Sequence, residues 1–379
     1  MRVAIMGAGL SGLTCAIQLE RHGVTPWIFE TRSQVGDRFV NGEVFMSIFS
    51  RPTEDEMKYM SERHQIYLHP TANIKEFILS SSSERAVITG RLGFTNIRGR
   101  HSNSLENQLY RQLKTEIHFH SDFTYEQLAK EFTHVIVATG DSAYVQSISL
   151  FDEQRAYTLV GATVEGSFSP HGVRAWWDER IAPNGYGYLI PFSEKEANIV
   201  TAIPDREAQD KQRRTELRQR FFERVCSDLE QNLRVSDQFE ITGYVSGLCR
   251  YPRIGNTFFT GNCFGSLMPM FGFGQFASML TGIYAANDLL GLSSYEQTTQ
   301  PLRHAFKNSL VLRRFFESLN QRELDFVVGK LNGFWGEKLL NSKLDVFKWA
   351  SYALRLRHPG MWPSPIMPGV KYFRYFLLP

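Results

Sequence analysis

Residues 2–6, RVAIM, form a short apolar run of the kind that becomes a buried strand. After a glycine-rich turn the period changes. Leu13, Ala16, Ile17 and Leu19 recur at helical spacing, and Gly23 marks the end of that helix. A second strand is predicted over 25–30 (TPWIFE). Strand–helix alternation then stops: residues 31–100 hold scattered polar positions, the serine run Ser80–Ser83 and several short strand-like stretches. The spacing next predicts a helix over 102–114, serine-capped, with Leu105, Leu109 and Leu113 on one stripe. Residues 116–121 (EIHFHS) and 134–140 (HVIVATG) read as strands flanking a short helix. Residues 155–203 favour strands, and 207–232 form a charged amphipathic helix with Leu217, Phe221, Val225 and Leu229 as its core stripe. Strands return in QFEITGYVSG and NTFFTGN, and a helix follows over 274–290. From 291 the pattern is mostly helical until HPGMWPSPIMPG breaks it, and no internal repeat is present.

A chain of 379 residues exceeds one typical core, so two or three lobes are expected. Hydrophobic residues at 42% and charged residues at 21% describe an ordinary globular protein. A net charge of +3, with no basic run interleaved with aromatics, argues against a nucleic-acid partner. Cys15, Cys226, Cys249 and Cys263 form no C-x-x-C pair and no metal spacing, so no metal site is expected. They read as packed, reduced thiols of a cytoplasmic protein. The first ten residues lack the apolar region of a signal peptide, and no apolar run reaches membrane-spanning length.

The most informative motif is GAGLSG at 7–12, a G-x-G-x-x-G that follows an apolar strand and opens a helix. A second strand then ends in Glu30, eighteen residues after Gly12. That context is the dinucleotide fingerprint. Gly7 allows the tight turn, Gly9 lets a pyrophosphate approach the backbone, and Gly12 permits close helix–strand packing. The helix N-terminus offers amide donors to phosphate, and Glu30 accepts from adenosine ribose hydroxyls. A nicotinamide-dependent dehydrogenase would continue the parallel winding after Glu30, and this chain does not. A second glycine-rich stretch, GNCFGSLMPMFGFG at 261–274, carries no Lys, Arg, Asp or Glu. FAD is longer than one nucleotide half-site and needs a further backbone contact, so FAD is the expected cofactor, with Gly261 to Gly274 lying against the flavin. No second fingerprint supplies a separate nicotinamide domain.

With these residues in place the chain resembles FAD-dependent oxidoreductases of the para-hydroxybenzoate hydroxylase fold, especially the geranylgeranyl reductase and flavin halogenase branch. Three stretches carry the resemblance: GAGLSG with Glu30, residues 258–289 (FFTGNCFGSLMPMFGFGQFASMLTGIYAANDL), and PNGYGYLIPF at 183–192. The last is similar to the reductase pattern P-x-G-Y-x-W-x-F-P and to the halogenase pattern W-x-W-x-I-P. The resemblance implies an α/β fold: a Rossmann-like FAD-binding lobe, an antiparallel β substrate lobe and a helical C-terminal part. The first lobe is expected over 1–150, with an inserted segment at about 40–95, and is completed by 251–290. The substrate lobe takes 151–250 and the helical region 291–379. The cofactor-binding candidates are Gly7, Gly9, Leu10, Ser11 and Gly12; Glu30, Thr31 and Arg32; and Ala138, Thr139 and Gly140. In the second glycine-rich stretch they are Gly261, Asn262, Pro269, Gly272 and Gly274. The resemblance adds Arg38, in VGDR, and Arg98 or Arg100 before the 102–114 helix, with Arg100 preferred. Two departures stand out. Asn262 replaces the usual Asp beside the flavin ribityl chain, and Gly140–Asp141 reverses the usual Asp-Gly order.

Tyr186, Tyr188 and Phe192 alternate on one strand and share a face, either packed on their own core or lining an apolar chamber. Tyr186 and Tyr188 are the catalytic candidates, and Trp176 and Trp177 extend either wall. His118 and His120 alternate on one strand as surface or packing residues. The aromatic and basic tail fits a helical lid or a peripheral membrane contact. The expected function is FAD-dependent redox chemistry on an apolar or lipid-like substrate, first as reduction of an unsaturated bond. Monooxygenation or halogenation is the alternative, and a non-catalytic FAD-binding protein is the third reading. The resemblance permits transient binding of NADH or NADPH as reductant.

Overall fold

The computed structural model describes residues 1–148 and 150–357, so the predicted break at HPGMWPSPIMPG lies outside the described residues. The chain opens with β1 (Val3–Met6), α1 (Leu10–Arg21) and β2 (Trp27–Phe29). It continues through β3 (Val40–Met46), α2 (Glu56–His64), β4 (Ala72–Ser80) and β5 (Arg85–Gly99). Next come α3 (Leu105–Tyr110), β6 (Ile117–His118), α4 (Tyr125–Glu131), β7 (His134–Val137) and α5 (Ala143–Ser147). Four strands follow, β8 (Phe151–Glu165), β9 (Gly172–Trp176), β10 (Tyr186–Pro191) and β11 (Glu196–Pro204), then α6 (Lys211–Leu229). β12 (Arg234–Cys249), β13 (Arg253–Ile254) and β14 (Thr257–Phe259) lead into α7 (Gln275–Leu289) and α8 (Tyr295–Glu317). The chain ends in α9 (Gln321–Leu331), α10 (Phe334–Leu340) and α11 (Val346–Arg357).

Two sheets organise these elements. The first has order β13-β14-β7-β1-β2-β6 and is parallel except for β13. Its inner strands are apolar on both faces because α1 and α7 cover one side and α4 and α5 the other. The second sheet has order β12-β8-β11-β10-β9-β4-β5-β3 and is antiparallel apart from the β4–β9 pair. The segment expected as an insertion at about 40–95 thus supplies three strands of this sheet. At its far edge β3 folds back over β10 and β11. A Cβ on Gly42 would come within 2.9 Å of Ile190, and the Gly42 amide donates to buried Asn198 at 3.0 Å.

Three local expectations change. The 102–114 helix shrinks to α3, because Ser104 rather than Ser102 caps it and the chain tightens into i,i+3 turns after Tyr110. The 116–121 strand stops at His118. His120 adopts φ +53, so the two histidines do not alternate on one strand; His118 stacks instead on Trp27 and Phe29. Trp176 turns away from Trp177, packing edge-on against Phe221 of α6 and donating to Asp228 at 2.7 Å. Among the described residues no helix is long and apolar enough to cross a membrane.

Candidate active site

The loop between β1 and α1 lies at the carboxyl ends of the parallel strands, where open α/β sheets bind ligands. Its three glycines have different neighbours. Gly7 has φ +104, and a Cβ there would sit 2.4 Å from the Ala138 carbonyl oxygen. At Gly12 a Cβ would lie 2.0 Å from the Gly7 oxygen. Gly9 faces open space, with nothing within 4 Å. Two of the glycines therefore close the turn, and the third leaves a cradle. The helix behind it keeps its donors free. Side chains cap α2, α6, α8 and α9, whereas α1 and α7 start at Gly9 and Gly274 with no side-chain cap. Uncapped first-turn amides at α1 suit a pyrophosphate.

Glu30 directly follows β2, beside this cradle. Its carboxylate accepts from the Ala8 amide at 2.8 Å and the Arg32 amide at 3.0 Å, which fixes its orientation. Ionised, it retains acceptor capacity for ribose hydroxyls. Thr31 and Arg32 are exposed at the same rim, while Leu10 and Ser11 are buried in the first turn of α1. The dinucleotide half of FAD thus fits these residues.

Several glycines of the 261–274 stretch lie close to other parts of the chain. Gly261, at φ +59, brings its α-carbon against Ser11, where a Cβ would meet Oγ at 2.7 Å. Gly265 packs on the Gly247 carbonyl and Gly274 on the Ser266 carbonyl. Gly261, Gly265 and Gly274 thus sit against other parts of the chain. On α7 itself Gly282 allows a close crossing of α1, where a Cβ would lie 2.0 Å from the Ser11 oxygen. Gly272, at φ +67, is the member that lines a cavity, as does Pro269.

Asn262 stands where the two lobes meet. Its amide nitrogen donates to the Gly140 carbonyl at 3.0 Å and to the Tyr244 hydroxyl at 2.9 Å. Its oxygen carries only a 3.4 Å contact from Ser266, so it is the atom with capacity for a further donor. Arg38 reaches the same place, with Nη1 3.5 Å from the Gly140 oxygen and its guanidinium 5.3 Å over the Tyr244 ring. Thr139 hydrogen-bonds Cys263 at 3.2 Å, and Ala138 holds the turn by donating to Met6 at 2.8 Å. Arg38, Gly140, Asn262 and the unanticipated Tyr244 thus form one cluster. Arg100 is placed elsewhere, ion-paired with Asp237 on β12. Arg98 is buried between Glu43 at 3.1 Å and Glu106 at 2.8 Å.

Tyr244 also borders an apolar cavity of about 220 Å³ on the face of the second sheet. Phe271 and Phe273 of the glycine-rich loop roof it, packed at a tilt against the stacked pair Phe49 and Phe347, and α9–α11 close one side. Glu43 and Arg313 are the charged side chains among its lining residues. Tyr186, Tyr188 and Trp177 line it; Phe192, on the same strand face, packs instead with Val40 and Ile97. The Tyr186 hydroxyl donates to the Phe271 carbonyl, and the Tyr188 hydroxyl donates to Asn41 at 3.0 Å. Burial pushes both phenols above their ordinary range, so both stay protonated near neutrality. Burial likewise raises the Glu43 carboxyl, although Arg98 opposes the shift. Sequence reasoning missed Asn41, Glu43 and Tyr244. Only the period-2 pattern of β3 placed Asn41 and Glu43 on one face, and nothing local tied that face to Tyr188.

A parallel sheet with a dinucleotide-type turn, joined to an antiparallel lobe that encloses an apolar cavity, is a fold this chain shares with solved flavin-dependent proteins. The family model described as an NAD(P)-binding Rossmann-like domain matches residues 5–46, the half-site that NAD and FAD share. Over 94% of this chain and 98% of the other, the structure is similar to a geranylgeranyl bacteriochlorophyll reductase-like protein from Thermoplasma acidophilum (TM-score 0.71, 15% identity). It is similar to the flavin-dependent brominase Bmp2 over 94% and 99% of the two chains (TM-score 0.65, 13% identity). It also resembles aklavinone-11 hydroxylase, solved with FAD and aklavinone, over 89% and 72% of the two chains (TM-score 0.56, 13% identity). No curated protein matches the sequence.

Proposed function

We propose that this chain is an FAD-dependent oxidoreductase that reduces an unsaturated bond in an apolar, lipid-like substrate. The observation that carries the reading is the cavity: apolar on nearly all sides, it meets the Asn262–Arg38–Gly140 cluster at Tyr244 and presents two protonated phenols. Gly9 with the α1 amides would take the pyrophosphate, Glu30 the adenosine ribose, and Asn262 Oδ1 a ribityl hydroxyl. When bound, FAD supplies the electron pair as hydride, with NADH or NADPH, bound transiently, as its proposed source.

The protein's own task is to place the substrate and deliver a proton. Saturating a carbon–carbon double bond takes one hydride and one proton. The Tyr186 proton is committed to a backbone carbonyl. The Tyr188 proton rests on Asn41 Oδ1, a neutral acceptor held in turn by a 3.5 Å contact to Glu43. Tyr188 is therefore the proposed donor, and the aromatic roof excludes water from it.

The test is anaerobic. Purified protein should be yellow and release FAD on denaturation. After chemical reduction without oxygen, adding a polyprenyl lipid should restore the oxidised flavin spectrum with formation of a saturated product. Recovery of FMN, or reoxidation only by oxygen coupled to hydroxylation or halogenation, would overturn the reading. The second of these outcomes would favour the monooxygenase or halogenase alternative.

A further inference from the structure

The last three described helices turn apolar side chains outward as well as inward. α11 packs against α8 with Ser351 buried, yet Tyr352 is 38% and Leu356 58% exposed on its other side. On α10 Gly336 and Leu340 are buried, while Phe334 and Trp335 are each 66% exposed. On α9 Leu324 and Val328 pack inward, and Phe326 stands 66% exposed. Seven of the seventeen large hydrophobic side chains exposed among the described residues fall between Phe326 and Leu356. A surface helix that packs through one apolar stripe is normally polar opposite it. Isolated exposed apolar residues are ordinary, but six of these seven on three consecutive helices are not.

Charge indicates what covers these faces. Lys330 lies 5.3 Å over the Phe326 ring, and Lys338 lies 5.8 and 5.9 Å over Phe334 and Trp335. Arg355 lies 5.7 Å over Tyr352. Between 321 and 357 there are seven Lys and Arg against four Asp and Glu. The acidic groups are engaged by the fold: Asp325 by Ser82 and Ser83, Glu337 by Thr89, and Glu323 and Asp345 by backbone amides at helix starts. Aromatic rings overlaid by long cationic side chains match the composition of helices that lie in a lipid interface, with amines reaching the headgroups. The inner sides of the same helices, through Leu331, Leu339, Leu340 and Phe347, wall the apolar cavity.

We propose that the outer faces of α9, α10 and α11 seat the protein on the surface of an anionic bilayer, with Phe326, Phe334, Trp335, Tyr352 and Leu356 in the interfacial layer. One layer of helices then separates lipid from the cavity. The proposal stands independently of which reaction the cavity hosts.

Sedimentation of the full-length protein with vesicles tests it, comparing phosphatidylcholine alone with an equal mixture of phosphatidylcholine and phosphatidylglycerol. Binding to the mixed vesicles should exceed binding to the neutral ones and weaken with salt. Phe334→Ala/Trp335→Ala should lower the affinity about tenfold or more, and Lys330→Glu/Lys338→Glu should lower it only on mixed vesicles. Unchanged thermal midpoints would show that these exposed substitutions leave the fold intact. Failure of the full-length protein to bind either vesicle would overturn the proposal. So would binding that both double variants leave unchanged, because the contact then lies elsewhere. A dimer seen by light scattering that Phe334→Ala/Trp335→Ala dissociates, with no vesicle binding, would assign the face to a second copy instead.

Discussion

Substituting Gly9 and Gly12 separately should divide binding from folding, although both belong to one motif. Gly9 has φ −84 and ψ −173, a conformation open to alanine, and no atom lies within 4 Å of an added Cβ. Reduced entropy of the unfolded chain favours Gly9→Ala and weaker helix capping opposes it, so the apoprotein should stay within about 1 kcal/mol of wild type. The methyl would nevertheless fill the cradle and hold the pyrophosphate off the α1 amides. Charge-assisted hydrogen bonds are each worth about 1.5–3 kcal/mol, so losing one or two costs about 3 kcal/mol, roughly a hundredfold in FAD affinity. Gly12→Ala is the opposite case. Its Cβ would overlap the Gly7 oxygen at 2.0 Å, so α1 must separate from the turn. Overpacking of that kind costs about 1–3 kcal/mol or more before any ligand is added. Thermal denaturation of the apoproteins and fluorescence titration with FAD measure the two effects. The reasoning is refuted if Gly9→Ala binds FAD within a few-fold of wild type, or if it destabilises the apoprotein more than Gly12→Ala does.

Three further outcomes follow from the same geometry. Asn262→Leu should sharply reduce FAD occupancy, and Asn262→Asp should also weaken it, because a carboxylate oxygen would then face the Gly140 carbonyl now 3.0 Å from the amide nitrogen; full occupancy in Asn262→Asp would contradict this. Tyr188→Phe should lower turnover about a hundredfold with little change in KM, as loss of a general acid does, whereas Tyr186→Phe should have the smaller effect; steady-state kinetics showing the reverse order would reassign the proton donor. His64 is held neutral in the fold, its pKa lowered from 6.5 to about 4 chiefly by burial and further by Arg21 and Arg63. Below about pH 6.5 the unfolded chain takes up a proton that the folded chain refuses, so stability should fall from pH 6.5 towards 4. His64→Gln should flatten that slope in denaturant titrations, and an unchanged slope would place its origin elsewhere.

What could be read directly from the chain is what depends on short-range geometry. GAGLSG, the apolar strand before it and Glu30 after it specify β1, α1 and β2 within thirty residues, because turn, helix period and strand period are local properties. Period 2 likewise put Tyr186 and Tyr188 on one face. Local alternation failed where the backbone leaves the β region. Gly99, at φ +94, separates Arg98 from Arg100, and one ends between Glu43 and Glu106 while the other pairs with Asp237. His120, at φ +53, ends the alternation after His118 in the same way. Long-range packing decided the rest. The hydrogen bond from Tyr188 to Asn41 spans 147 residues, and the one from Asn262 to Gly140 spans 122. The glycines of 261–274 announced a close approach, and only the tertiary structure shows that Gly261 meets Ser11, Gly265 meets Gly247 and Gly274 meets Ser266. Strands from 40–99 join those of 151–249 edge to edge through β4 and β9, and β3 then packs its face across β10 and β11. Complementarity of that kind exists between surfaces, and no window of the sequence contains both.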